Sequence, residues 1–541
     1  MTTSRSRLAG LVLALVTASC GGRPNYWDTG IPSGSISFGL ADGVALVDDP
    51  AHRVVVLTAL AGQQLSKRSF PVGHNVLTQA TTTSPDGSRL FVLSAGDFPR
   101  HTETDQLPEL TVLTIDPKTF ATATAEYKMS VPLPNLAIDP LGRWAVAYSG
   151  PGAPATFVQN ANELVIFDLT APSGSAPITH TIRSQGGTPQ RLTFTPELNL
   201  AKVPGNGRLL IVETDIDVTL VELANPTSDV TLSLTSGTSA QRVTPAGVVV
   251  DSGFDPTTPA LSGPPRIALK AQDNTNVFTF TLGASVTNDF TPIVNVIDVG
   301  GTPTDIAFVR VDQDLLRVAA LVPSKASAAL VDADDGNITQ VALPAAYSSL
   351  SLVTSVLGSP GTDVAMLWSA TATGVALWTL GNTVGQPYHS IEVLPITQQV
   401  QQVDEVAEQT QLKVLQTTTA NAASGFMVLD LLKGTASPLQ TSARATLSIA
   451  PNGQRLWAYA QGGTDLAQLD FTTLNPVPLT TTEPIDVVYE VQRPSTGPGG
   501  DGGSSLIAIH NQGTVGATVF DAVKPDTALA RIVPALLLEG P

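Results

Sequence analysis

The sequence predicts an all-β protein built from repeated four-stranded antiparallel units. Three observations support this prediction: the composition, a recurring turn motif, and a recurring strand that ends in aspartate. Of the 541 residues, 42% are hydrophobic and 14% are charged, and the 45 glycines and 41 prolines are spread along the chain. Such a chain has ample material for a large core, and its richness in Thr and Val favours strands.

The turn motif places a Pro/Gly turn between two apolar strands. It reads SPDGSRLFV at 84–92, IDPLGRW at 138–144 and IAPNGQRLW at 449–457. Glycine accepts positive φ, and Asp or Asn can hydrogen-bond its own backbone. Each motif therefore predicts a tight turn between two antiparallel strands.

The recurring third strand is recognised by its terminal residue, and each terminal aspartate is expected to cap the next hairpin. Six aspartates end such strands. In chain order, the first and second are 52 residues apart, the fourth and fifth 40, and the fifth and sixth 51. The 98 residues between the third and fourth correspond to two periods. The six are Asp116, Asp168, Asp332, Asp430, Asp470 and Asp521. Four strands in a period of about 40 to 50 residues are typical of a β-propeller.

Counting repeats gives up to ten units, and the fold prediction is a β-propeller of eight to ten four-stranded antiparallel blades. The units are expected to begin near residues 36, 77, 134, 190, 240, 302, 350, 398, 444 and 485. Typical propellers have about 4 to 8 blades, so two smaller arrays are the alternative. A single ring is preferred because no linker interrupts the repeats, and the Gly-rich stretch 497–505 is interpreted as a hairpin loop within one blade.

These motifs resemble the YVTN-type propeller repeats that are common in bacterial surface proteins, and more loosely the lactonase-like propellers. The resemblance covers roughly residues 36 to 540. It implies the same ring architecture, without assigning a ligand or a catalytic residue.

The N-terminus resembles a bacterial lipoprotein signal. Arg5 and Arg7 precede an apolar run at 8–16, small residues follow at 17–19, and Cys20 is the only cysteine of the chain. The apolar run is shorter than the about 20 residues that a membrane-spanning helix needs. Thr17 stands where the lipobox prefers Leu, so an ordinary secretory signal with an incidental cysteine is the alternative.

This interpretation divides the chain into a signal peptide at 1–19, a flexible tether at 20–35 and the propeller at 36–541. It predicts lipidation of Cys20 and anchoring in the cell envelope. Gly21 rather than Asp after the cysteine resembles lipoproteins that are not retained at the inner membrane, so the outer membrane is the predicted location.

The charge of the chain excludes one class of partner. The formal net charge is −18, with 28 basic residues and no basic run, whereas nucleic-acid binding depends on Lys and Arg contacts to phosphates. With Cys20 used for lipid, no thiol remains for a disulfide, a zinc site or a cysteine nucleophile. No nucleic-acid partner is expected, and no cofactor is evident from the motifs.

The predicted binding residues lie in a long insertion between the second and third strands of one unit. A second insertion, 150–162, occupies the same place in the next unit, so both are expected on one face. Binding residues often lie on such loops, although a merely solvated polar loop is the alternative. The candidate ligand-binding residues are Asp97, Arg100, His101, Glu103 and Asp105.

Two weaker signals concern metals. Asp332, Asp334 and Asp335 resemble half of a calcium loop, but the later Glu is missing and a hairpin turn is expected there. The histidines show no ligand-like spacing in the sequence, although a ring could bring distant ones together. They are His52, His74, His101, His180, His389 and His510.

Two functional classes remain open. The first is a membrane-anchored binding or scaffolding propeller for an envelope protein or a polysaccharide. The second is an extracytoplasmic hydrolase or oxidoreductase with its site in the propeller channel. The chain has no HExxH, no GxSxG and no Walker loop, which favours binding.

Overall fold

The structure, a computed structural model, describes most of the chain from Gly30 to Leu536. The segments outside this description are 1–29, 85–86, 117–120, 155–159, 185, 201–206, 237–240, 255–262, 284–293, 312–314, 358–361, 382–389, 419–423, 440–444, 452, 472–473, 496–501 and 537–541.

Nine antiparallel sheets, numbered here in chain order, make up the described part together with one short ribbon. Sheets 1 to 5 contain four strands each. Sheet 1 consists of β1 (Ile36–Leu40), β2 (Gly43–Asp48), β3 (Arg53–Leu60) and β4 (Gln64–Pro71), and sheet 2 of β5 (Val76–Ser84), β6 (Gly87–Ser94), β7 (Glu109–Ile115) and β8 (Thr122–Lys128). Sheet 3 consists of β9 (Asn135–Ile138), β10 (Trp144–Tyr148), β11 (Glu163–Asp168) and β12 (Ile178–Thr181), and sheet 4 of β13 (Pro189–Phe194), β14 (Leu209–Thr214), β15 (Asp217–Glu222) and β16 (Asp229–Ser233). The ribbon of β17 (Thr235–Ser236) and β18 (Gln241–Arg242) follows, and sheet 5 consists of β19 (Pro245–Asp251), β20 (Arg266–Ala271), β21 (Asn276–Thr281) and β22 (Val294–Asp298).

Sheets 6, 8 and 9 also contain four strands, whereas sheet 7 contains seven. Sheet 6 consists of β23 (Asp305–Val311), β24 (Leu315–Val322), β25 (Ser327–Val331) and β26 (Ile338–Ala342). Sheet 7 consists of β27 (Ser349–Leu352), β28 (Val364–Trp368), β29 (Thr373–Thr379), β30 (Ser390–Glu405), β31 (Leu412–Thr418), β32 (Ser424–Asp430) and β33 (Thr435–Leu439). Sheet 8 consists of β34 (Ala445–Ile449), β35 (Arg455–Ala460), β36 (Asp465–Asp470) and β37 (Pro476–Thr480), and sheet 9 of β38 (Val487–Gln492), β39 (Ser504–Gln512), β40 (Thr514–Asp521) and β41 (Arg531–Val533). Short helical turns lie at Asp49–Ala51, Ala61–Gln63, Pro323–Lys325, Thr354–Leu357, Thr527–Leu529 and Pro534–Leu536.

The second and third strands of each sheet carry the core. In β2 (GVALVD) and β14 (LLIVET), every residue is buried, because these strands are covered on both faces by the neighbouring sheets. Ten apolar clusters occur among the described residues, and nine of them join two neighbouring sheets. First strands of neighbouring sheets touch, as β5 touches β9 and β19 touches β23, so the first strands surround the axis.

The ring is closed by contacts between sheets 1 and 9. Val44 and Leu46 of β2 share one apolar cluster with Ile507 and Ile509 of β39. The chain segment before β1 joins the same contact, since the backbone N–H of Val515 donates to the carbonyl of Ile31 at 2.9 Å. The predicted single-ring β-propeller architecture is therefore present in the described residues.

Sheet 7 differs from the others because β30 is 16 residues long. Residues 390–394 of β30 and Gln399 pair with β29, and residues 399–405 pair with β31, with an irregularity between Val400 and Gln402. The tenth apolar cluster lies between the two halves of this sheet and includes Met366, Leu394 and Met427. The sheet thus turns at β30 and packs on itself.

Four of the six predicted aspartate caps are present in the described residues, whereas residues 85–86 and 452 of the predicted turns lie outside them. The carboxylate of Asp168 accepts from Thr170 N at 2.9 Å, and that of Asp521 accepts from Val523 N and Lys524 N at 2.9 Å. Asp332 and Asp430 cap their turns in the same way. The unit expected near residue 240 begins later, at Pro245, because residues on either side of 237–240 form the β17–β18 ribbon.

The Gly-rich stretch 497–505 links two paired strands of sheet 9, β38 and β39, as the hairpin prediction requires. Residues 496–501 lie outside the described part of the chain. Among the described residues, we find no helix with the length and apolar character needed to cross a bilayer.

Candidate functional site

The long loop 95–108 joins β6 to β7, and the loop 149–162 joins β10 to β11. Because all strands in a sheet are antiparallel and run in chain order, loops between second and third strands emerge on one face of the ring. We call this the upper face; it also carries the links from each sheet to the next. The opposite, lower face carries the other two turns of each sheet.

Asp105 holds the tip of loop 95–108 in shape. Its carboxylate accepts from the backbone N–H groups of His101 (2.6 Å) and Thr102 (3.0 Å), and from the Thr102 hydroxyl. These hydrogen bonds, that of the Thr102 hydroxyl first, lower the pKa of Asp105 to about 2. The side chain is therefore ionised and engaged within the loop.

Asp97 fixes the base of the same loop. Its carboxylate accepts from Gln106 N at 2.8 Å and contacts His74 Nδ1 at 2.9 Å. The hydrogen bond from Gln106, followed by that from His74, lowers the pKa of Asp97. Asp97 and Asp105 thus organise the loop through hydrogen bonds to its backbone.

The other three predicted residues are displayed on the surface. Arg100, His101 and Glu103 are exposed. Arg100 Nη2 donates to the carbonyls of Thr102 (3.4 Å) and Glu103 (3.2 Å), and the side chains of His101 and Glu103 have no hydrogen-bond partner within the described residues. Ligand binding by any of the five residues remains a prediction.

Two histidines that are far apart in the sequence meet beside this loop. The rings of His52 and His74 stack with centroids 3.9 Å apart and planes at 27°. His52 Nδ1 is buried and has no partner in the described part, while His74 contacts Asp97. Sequence spacing could not reveal the pair, because His52 lies in a loop of sheet 1 and His74 in the link to sheet 2. His389 lies outside the described residues.

A cavity of about 340 Å³ opens on the upper face between sheets 1 and 2. Apolar, hydroxyl, amide and backbone groups dominate its lining, and the carboxylate of Asp49, the charged group among them, accepts from Val76 N at 2.9 Å. Its walls are residues 32–36, Val47, Asp49, Pro50, Val76, Leu77 and Gln79. Its volume is at the low end of the about 300 to 1,000 Å³ typical of ligand sites.

In the segment that resembles half of a calcium loop, two of the three aspartates form ion pairs with arginines. Asp334 accepts from Arg266 Nε (2.9 Å) and Nη2 (2.7 Å), and Asp332 pairs with Arg317 at 2.8 Å. Asp335 caps Asn337 N at 2.9 Å. Three or more His, Cys, Asp or Glu side chains arranged for a metal ion do not occur in the residues that the structure covers.

Comparison with known proteins gives similarity at the level of fold. No family model and no curated protein matches the chain. The dihydro-heme d1 dehydrogenase NirN in complex with DHE is 13% identical with a TM-score of 0.40, over 74% of this chain and 73% of that chain. The Dos1 propeller is 14% identical with a TM-score of 0.36, over 71% and 90%. A putative 6-phosphogluconolactonase from Bacteroides fragilis NCTC 9343 is 10% identical with a TM-score of 0.33, over 74% and 98%.

Proposed function

We propose that this protein is a membrane-anchored, extracytoplasmic β-propeller that binds or scaffolds an envelope protein or polysaccharide through its upper face. The propeller has ten blades, with β30 shared between the seventh and eighth. The count rests on the ten apolar clusters of the described residues, one for each contact between successive blades of a closed ring.

The observation that carries a binding function is the internal order of loop 95–108. Asp97 and Asp105 fix its base and tip, while the exposed side chains of Arg100, His101 and Glu103 stand on this fixed frame. A loop that is already ordered loses little conformational entropy when a partner binds. The neighbouring cavity, with its apolar and hydroxyl lining, offers room for a protruding group of that partner.

Loop variants test this proposal. The triple variant Arg100→Ala, His101→Ala, Glu103→Ala keeps both organising aspartates, so we expect an unchanged melting temperature and reduced recovery of the partner from envelope extracts. Arg143→Ala with Lys524→Ala is the matched control, because both residues are exposed on the lower face. If the triple variant and the wild type recover equal amounts of the partner, the binding site does not lie on this loop.

An enzymatic function is the alternative, either a hydrolase or an oxidoreductase with a site in the channel. The observation that favours an enzyme is the hydrogen-bonded pair of His74 and Asp97, which lies at the base of loop 95–108 on the upper face, because such a pair can move a proton. A His74→Gln variant that keeps full partner binding but loses a hydrolytic activity of the wild type would favour the enzyme over the binding module.

Anchoring is proposed at Cys20, which lies outside the described residues. Several acyl chains on one residue would bind a bilayer firmly, since burial contributes about 0.8 kcal/mol per methylene group. The wild type should incorporate labelled fatty acid and fractionate with outer membranes, and Cys20→Ser should do neither. Membrane fractionation of Cys20→Ser without any label in the wild type would contradict the lipoprotein assignment.

A further inference from the structure

Four charged side chains from three consecutive sheets gather at the upper mouth of the channel. Arg191 lies near the start of β13 and Glu213 near the end of β14, both in sheet 4. Lys270 lies near the end of β20 in sheet 5, and Asp305 begins β23 in sheet 6. Because β13 and β23 are first strands, this group borders the axis.

Lys270 reaches the innermost strand through a gap left by a glycine. It lies directly opposite Gly247 of β19, and a Cβ atom on Gly247 would come 2.8 Å from Lys270 Cε. The aliphatic part of Lys270 thus occupies the place of a missing side chain on a channel-lining strand. Among the residues that the structure describes, its ammonium group makes no hydrogen bond and no ion pair.

Arg191 is held in a fixed orientation by Glu213. Its Nε donates to Oε1 at 2.7 Å and its Nη2 to Oε2 at 2.5 Å. The Arg191 side chain is 49% exposed, whereas that of Glu213 is 2% exposed. Nη1 has no acceptor in the described part of the chain, so its two N–H groups remain available on a guanidinium that is already oriented.

The carboxylate of Asp305 does not accept a hydrogen bond from the ammonium group of Lys270. It accepts from Ile306 N at 3.0 Å and Leu350 N at 2.9 Å, so both oxygens are used by the backbone. Burial lowers the pKa of Lys270, and the nearby Arg191 lowers it further, although Asp305 and Glu213 act in the opposite direction. Lys270 is half-buried, and a partly desolvated ammonium group without an acceptor is unfavourable unless something else supplies one.

We propose that Lys270 and Arg191 bind a small organic anion, of the carboxylate class, at the upper mouth of the channel. The ammonium group and the free Nη1 donate charge-assisted hydrogen bonds to the carboxylate. Gly247 provides the space in which Lys270 lies, and Glu213 keeps the guanidinium in position. This site is separate from loop 95–108, so it holds independently of the partner-binding proposal.

Calorimetric titration with succinate at pH 7 tests the site. We expect saturable binding to the wild type, and a loss of affinity of about tenfold or more in Lys270→Met, since one charge-assisted hydrogen bond contributes about 1.5 to 3 kcal/mol. Lys325→Met is the control, because Lys325 is also on the upper face but exposed. Absence of saturable binding, or equal affinities in wild type and Lys270→Met, would overturn the proposal.

A second variant keeps the positive charge of Lys270 but changes the position of its side chain. In Gly247→Ala, the new methyl group displaces Lys270 from its place, so succinate affinity should fall as in Lys270→Met while the net charge is unchanged. In parallel, acetic anhydride labelling followed by mass spectrometry should modify Lys270, and succinate should protect it while leaving Lys325 unaffected. Labelling of Lys270 that succinate does not slow would contradict the site even if one variant failed to fold.

Discussion

The ring of Tyr489 in β38 lies directly against Gly39 in β1, across the junction where the last sheet meets the first. Its hydroxyl donates to the carbonyl oxygen of Ser37 at 3.0 Å. A Cβ atom on Gly39 would overlap the edge of the Tyr489 ring, so glycine is required here by close packing and not by a positive φ. One of the contacts that close the propeller is therefore an aromatic side chain that fits over a glycine.

Gly39→Ala should destabilise the fold by about 1 to 3 kcal/mol, because an added methyl group in a packed contact forces side chains to shift. Equilibrium unfolding in urea measures the change. Gly263→Ala is the control, since a methyl group there meets no atom closer than 4.0 Å. Identical unfolding midpoints for the two variants would show that the Tyr489 contact does not limit ring closure.

A buried ion pair joins sheets 3 and 4. Asp139 is fully buried, and its Oδ2 accepts from Arg208 Nη1 at 2.7 Å. Burial acts to raise the pKa of Asp139, but the hydrogen bonds from Arg208 and from Leu141 N outweigh it, so the pKa is lowered. This carboxylate thus contributes stability above its unfolded pKa of about 4, and that contribution is lost as the pH falls through the lower folded value.

Asp139→Asn should therefore cost about 3 to 5 kcal/mol at pH 7, because it leaves the Arg208 charge buried without its partner. The difference from the wild type should shrink as the pH falls below about 4. Urea unfolding at pH 7 and at pH 3 checks both statements, with exposed Asp465→Asn as the control. A difference that stays constant between the two pH values would exclude the proposed linkage.

The repeated local features of this fold are readable in the sequence, whereas contacts between sheets are not. The motif 138–144 predicts a turn, and Asp139 does cap it through Leu141 N and Arg143 N. Nothing in the motif reveals that the same carboxylate pairs with Arg208, 69 residues away, because such a partner is set by how neighbouring blades pack.

The candidate site shows the same division. The insertion and its polar residues could be found from the repeat length. The hydrogen bonds that Asp97 and Asp105 accept from the loop backbone could not, because they depend on the path of that backbone. The stacking of His52 on His74 and the placement of Lys270 over Gly247 arise where separate strands meet. No sequence spacing encodes those contacts.

Loop 95–108 should loosen when Asp105 is changed. Asp105→Asn removes the charge that accepts from His101 N and Thr102 N, so amide exchange at 97–106 should quicken while the global unfolding midpoint stays the same. Because the pKa of Asp105 is lowered to about 2, its contribution should persist until the pH falls to about 2. Hydrogen exchange by mass spectrometry checks this, with Glu103→Gln as the control; equal exchange in both variants would contradict the organising role.

Removal of the last blade should open the ring. Deleting 485–541 uncovers Trp457 and Tyr459 of sheet 8 on one side and Val44 and Leu46 of sheet 1 on the other, because both clusters lose their partner strands. Blades of a repeat protein bury their faces only against neighbours, so the truncated protein should be insoluble or rapidly digested by protease. Deletion of 537–541 alone is the control and should leave solubility and the melting transition intact. A soluble 1–484 fragment that melts cooperatively would mean that the blades form independent subdomains and that closure between β1 and β38 is dispensable.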